Sequence, residues 1–186
     1  MRNVCSERTA SLCSGISFNG LVGRLTDEII MLDVPVIEPN ELTNVRYIKY
    51  YANYKFGEVD YRESVAALKQ LAPTPFDKRL LLSHELKVLT YIGCHDSIVY
   101  PLGISEIQNE PVSIFAHVST TDLDSYRRWI EFDQIRWIIK NISSALQFLQ
   151  TKCVLLNNLT EKAILMNKPE KHLSLPVIAD FSFACL

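Results

Sequence analysis

Between residues 45 and 118 the hydrophobic period of the chain changes twice, and that succession restricts the fold more than any single motif. Residues 45–51 are aromatic and β-branched with partial alternation, and residues 56–61 and 64–69 follow at hairpin spacing, so three antiparallel strands are expected. Pro73 and Pro75 then interrupt extended pairing. From Phe76 onward Leu82, Leu86, Leu89 and Ile92 recur at three and four, the period of one amphipathic helix. Residues 98–104 and 112–118 return to strand character around the polar turn Gln108-Asn109-Glu110-Pro111. The expected unit is α+β, a five-stranded antiparallel sheet with one helix on it.

Glu85 lies on the same side of that helix as Leu89 and Ile92. A carboxylate on an apolar face needs a cation, and Lys69, ending a strand of small and apolar residues, is the candidate. Beyond residue 118, Thr120-Thr121-Asp122 offers N-cap side chains to a short helix. Residues 132–152 place Ile135, Ile138, Ile139, Ile142, Ala145, Leu146 and Leu149 on one stripe, predicting the longest helix of the chain, well buried along that stripe. Short apolar strands over 154–156, 164–166 and 177–179 follow, the last leading into Asp180-Phe181-Ser182.

At 186 residues and 48% hydrophobic content the chain can bury one good core. Net charge is −2 with no long basic run, which argues against nucleic acid as a partner. The five cysteines are widely spaced with no C-x-x-C pair, so reduced thiols and a cytoplasmic setting are expected. No stretch has the 18 or so unbroken apolar residues of a bilayer span, and no membrane insertion is expected. His95 and His117 have no spaced ligand partners and read as solvated or locally bonded; Trp129 and Trp137 read as packing residues.

The order of elements, with Lys69, Glu85 and Asp180-Phe181-Ser182, resembles the protein kinases. Gly57-x-Val59 sits ten residues before Ala67-x-Lys69, as the end of a glycine-rich loop precedes the lysine of V-A-I-K. Leu156-Asn157-Asn158 stands where H-R-D would be, Ala163 where the metal-binding asparagine would be, and Asp180-Phe181-Ser182 where D-F-G would be. The resemblance implies a small lobe over 45–118 and the start of an incomplete large lobe over 119–186, preceded by an extension over 1–44. It implies a nucleotide site built from Gly57, Val59, Ala67, Lys69, Glu85, Phe115, Ala116, Val118, Leu165 and Asp180, with Asp180 also the magnesium ligand.

The departures are chemical. Asn158 at the catalytic aspartate position cannot take a proton at neutral pH, and Ala163 has no ligand atom. Each loss removes on the order of 10²-fold from a phosphoryl transfer. Ala52 and Tyr54 replace the first two glycines of the loop, and that tyrosine would crowd a triphosphate or reach into the cleft. Leu89, Leu156 and Phe181 are expected to stack as an apolar column. The expected function is therefore that of a pseudokinase, binding ATP and magnesium weakly and acting through a protein partner that covers the incomplete large lobe. The alternatives are a divergent active kinase seen as a fragment and a truncated product that does not fold stably.

Overall fold

The turns between the strands carry the register of the sheet. Arg62 and Glu63 have φ of 46° and 63°, and Gln108 and Asn109 have 54° and 64°. Two consecutive left-handed residues form the tight hairpin turn whose twist matches that of paired strands. The strands so joined are β1 (Leu42–Tyr50), β2 (Tyr54–Tyr61), β3 (Ser64–Leu71), β4 (Pro101–Ile107) and β5 (Glu110–Ala116). They form one antiparallel sheet in the order β1-β2-β3-β5-β4. The computed structural model describes residues 32–119, 121–167 and 174–185. The first 31 residues of the expected extension, Cys5 and Cys13 among them, and the Trp129 side chain lie outside what is described.

The period-2 alternation of β3 sorts its residues between two cores. Ala66 and Leu68 join Ile37, Leu42, Val59, Val112 and Ile114 on one face; Ala67 joins Phe56 and Phe115 on the other. The second face receives α1 (Lys78–Ile92), which starts where the Asp77 carboxylate accepts the Arg79 and Leu80 N–H groups and stops at Gly93, φ 80°. Ahead of the residue at which the strand pattern begins, Val36 pairs in parallel with Ile104, and Ile37 is buried.

The second half contains α2 (Leu123–Tyr126), α3 (Phe132–Thr151) and a two-stranded sheet of β6 (Ile164–Asn167) and β7 (Leu175–Ile178). The expected strand over 98–104 begins as β4 only at Pro101, and the one over 154–156 is reduced to a bridge. Ile98 and Val99 pair with Ile178 rather than opening β4, and Leu155 meets only Cys185. The Val99 N–H on the Ile178 carbonyl and the Ile178 N–H on the Ser97 carbonyl tie the second half of the chain to the first, while the Leu155–Cys185 bridge lies within the second half. The apolar column is continuous with the main core: Leu89, Leu156 and Phe181 belong to one cluster with Leu149, Val154 and Ile178. Ile138, Ala145 and Leu149 of α3 are buried, while Phe132, Ile135, Ile139 and Leu146 leave a second, exposed apolar stripe. Among the described residues no helix is long and apolar enough to cross a membrane.

Candidate functional site

Three segments remote in sequence converge on the Lys69 ammonium. β3 carries Lys69, the inward face of α1 carries Glu85, and the turn after β7 carries Asp180 and Ser182. The ammonium donates to Glu85 Oε1 at 2.8 Å and Oε2 at 3.1 Å, to Asp180 Oδ1 at 2.9 Å and to Ser182 Oγ at 2.8 Å. Glu85 Oε1 also accepts the Phe181 N–H at 2.9 Å, and Asp180 Oδ1 accepts the Ser182 N–H and hydroxyl. Lys69 is 1% exposed and Glu85 0%.

One cation thus serves two carboxylates, a net charge of −1. Burial opposes the charge on Lys69, but Glu85 and Asp180 outweigh it and raise its pKa above the ordinary lysine value. Burial is also the largest influence on Glu85 and raises its carboxyl, with Lys69 opposing and Asp180 adding. At Asp180 burial is outweighed by the Lys69 charge and the bonds from Lys69 and Ser182, so its carboxyl is held below the usual range.

A strap from the β1–β2 turn closes over this cluster. The Tyr54 ring lies 4.8 Å from the Lys69 ammonium, a cation–π contact, and the Tyr51 ring is tilted against it at 4.7 Å between centroids. Burial pushes the Tyr54 hydroxyl up to about 12, with the Lys69 charge opposing and Asp180, Glu85 and Asp122 adding. The strap is anchored at Asp122, the residue before α2. Asp122 Oδ2 accepts the Tyr51 hydroxyl and the Lys49 ammonium, each at 2.6 Å, and Oδ1 accepts the Ser125 N–H at 2.7 Å. Burial of Asp122 is outweighed by these donors, which hold its carboxyl well below the usual range.

The residues expected to line a nucleotide site divide into three groups. Lys69, Glu85 and Asp180 are brought together. Ala67, Phe115, Val118 and Leu165 also share one cluster, but each is at most 3% exposed, packed as core rather than lining an open slot. Ala116 is half-buried at the end of β5, its N–H engaged by the Tyr100 carbonyl at 2.9 Å.

Gly57 and Val59 do not belong to this site. Gly57 is a buried residue inside β2, paired with Tyr47 and Leu68, and a Cβ there would press into the Arg46 carbonyl. Its smallness serves strand packing rather than approach to a phosphate. Val59 pairs with Ala66 and faces the other core, because alternation turns it away from the face of Phe56 and Ala67. The loop position belongs instead to residues 51–53, one turn earlier than the glycine spacing suggested.

Asn158 is half-buried and supplies no carboxylate; Ala163 is buried, its carbonyl accepting the Ala179 N–H at 2.9 Å. Magnesium does not fit this donor set. Asp180 Oδ1 already accepts three bonds, Ala163 offers a methyl group, and among the described residues no three His, Cys, Asp or Glu side chains converge. His95 Nε2 lies 3.4 Å from Ser144 Oγ with its ring on Phe148, and His117 is 3.9 Å from Glu58, local contacts as expected.

Sequence reasoning missed the Lys49–Tyr51–Asp122 brace. Asp122 carried only an N-cap signal, and its partners lie 73 and 71 residues earlier. No protein-family model matches the chain, and no characterised protein was found to match it.

Proposed function

We propose that the chain is a kinase-like binding module without phosphoryl-transfer activity, a pseudokinase in type. The observation that carries this reading is the Lys69–Glu85–Asp180 cluster, built in full and enclosed, beside Asn158 and Ala163 in place of the groups that would do chemistry. The arrangement stabilises one relative position of the sheet, α1 and the 180–182 turn. Phosphoryl transfer needs an oriented nucleophile and metal ions on the phosphates, and the residues here supply neither. In this reading any hold on ATP and magnesium is weak, because the lysine is saturated by protein oxygens and capped by Tyr54.

The exposed stripe of Phe132, Ile135, Ile139 and Leu146 on α3 supports action through a protein partner that covers it. The cytoplasm suits Cys94 and Cys185, which are not joined in a disulfide.

The test combines a phosphate-transfer assay with thermal melting in ATP and magnesium. The expected result is no transfer to peptide or to the protein itself, with at most a small rise in Tm that magnesium does not enlarge. Transfer that disappears in Asp180→Ala overturns the reading in favour of an active kinase.

A further inference from the structure

Beside the buried cluster lies a cavity of about 280 Å³, bounded by the strap, the β3–α1 connection and the start of α1. Asn53, Tyr54, Pro75, Leu82, Asp180 and Phe183 contribute to its wall. It is just below the usual size of ligand sites, which run from about 300 Å³ upward. The wall is apolar apart from a few polar groups, of which Asp180 is the charged one.

The two oxygens of that carboxylate differ. Oδ1 accepts the Lys69 ammonium and both Ser182 donors, whereas no hydrogen bond from the described residues reaches Oδ2. Asp180 lines the cavity and keeps some exposure, 8%. The Lys69 charge is shared between two carboxylates, leaving one negative charge in excess at the edge of an apolar space. An anion entering there would meet that excess and a lysine with no proton to spare. A metal ion would find one ligand oxygen. An ammonium N–H would meet an accepting oxygen of opposite charge, the stronger kind of hydrogen bond, and an apolar body would fill the remaining volume.

We propose that this cavity binds a small organic ammonium ion with a compact apolar body, held by Asp180 Oδ2. This goes beyond the kinase-like reading and does not depend on nucleotide binding, since it uses the excess charge and the apolar wall.

Calorimetric titration of the full chain with phenethylammonium and with phenethyl alcohol, near neutral pH, tests it. The ammonium binds about tenfold or more tightly than the alcohol, which has the same apolar body without the charge. Asp180→Asn makes the two affinities equal, and Ala72→Trp, which fills the wall without touching the cluster, weakens both. In the wild-type protein the ammonium moves the amide NMR signals of Asn53, Tyr54, Ser182 and Phe183. Equal affinities, no binding of the ammonium to the wild-type chain, a preference that survives Asp180→Asn, or signal changes confined to other residues each overturn the proposal.

Discussion

Replacing Lys69 with methionine shortens the side chain by one atom and keeps most of its volume but removes the ammonium that four oxygens share. Glu85, 0% exposed, is left with the Phe181 N–H, and Asp180 with the two Ser182 donors. Removing one partner of a buried ion pair costs about 3–5 kcal/mol, because the remaining charge stays desolvated. Against a total stability of about 5–15 kcal/mol this is a large fraction. At about 2–4 °C per kcal/mol for a chain of this size, Tm falls by roughly 6–20 °C.

The loss also depends on pH. Without Lys69 the Glu85 carboxyl is raised further above its unfolded value of about 4.3, so the folded variant holds a proton more tightly than the unfolded chain. The deficit relative to wild type therefore shrinks as pH falls from about 8 to about 5. The Asp180 contribution in the wild type, with its carboxyl held low, persists through that window and is lost only on further acidification, below about pH 4. Urea unfolding followed by circular dichroism at several pH values measures the difference, and titration of groups common to both proteins cancels. Adding Glu85→Leu to Lys69→Met recovers most of the loss, since an apolar replacement of a buried pair is close to neutral. A deficit below about 1 kcal/mol, or one constant from about pH 8 to about pH 5, would refute the charge argument.

Gly57→Ala forces a methyl group against the Arg46 carbonyl, part of a backbone that cannot swing aside, and lowers stability by about 2 kcal/mol or more in denaturant titration. Lys49→Met removes a charged donor from Asp122; discounted for the partial exposure of Lys49, the loss is about 1–2 kcal/mol, and hydrogen exchange at the Tyr51 and Ala72 amides accelerates about tenfold. His84 is buried with Nε2 on the Ala184 carbonyl, and burial, only partly offset by that bond, lowers its pKa. The stability it contributes is complete above its unfolded pKa of about 6.5 and is lost as pH falls, so His84→Gln flattens the decline of Tm between about pH 7 and pH 5.

The strands were legible because β3 is a run of small and apolar residues between two tight turns, and α1 because Leu82, Leu86, Leu89 and Ile92 repeat at the helical period. The charged cluster was legible for the same reason: Glu85 on the apolar face of a helix needed a cation, and the structure supplies Lys69. Strand facing was not. A register shift of one residue reverses every side chain, and the spacing of Gly57 and Val59 carried no signal to separate a phosphate-facing glycine from one that clears Arg46. Residues 98–99 and 154–156 have strand composition, but their strand-like pairings, with Ile178 and with Cys185, are long-range and local pattern does not encode them. Tyr54 was legible as an obstruction. The strap's anchor was not, because a carboxylate before a short helix is accounted for locally, and nothing in the sequence of Asp122 records that Lys49 and Tyr51 arrive from the other side.

That anchor has a mechanical consequence. Two bodies joined at one point can rock about it; joined at two separate places, they behave as a frame. The Lys69 cluster is one joint and the Asp122 brace is the other. Displacing one body against the other therefore has to break both joints, which lie on different segments of the chain. Asn158 and Ala163 contribute side chains to neither joint, so substitutions there leave the frame standing on other residues.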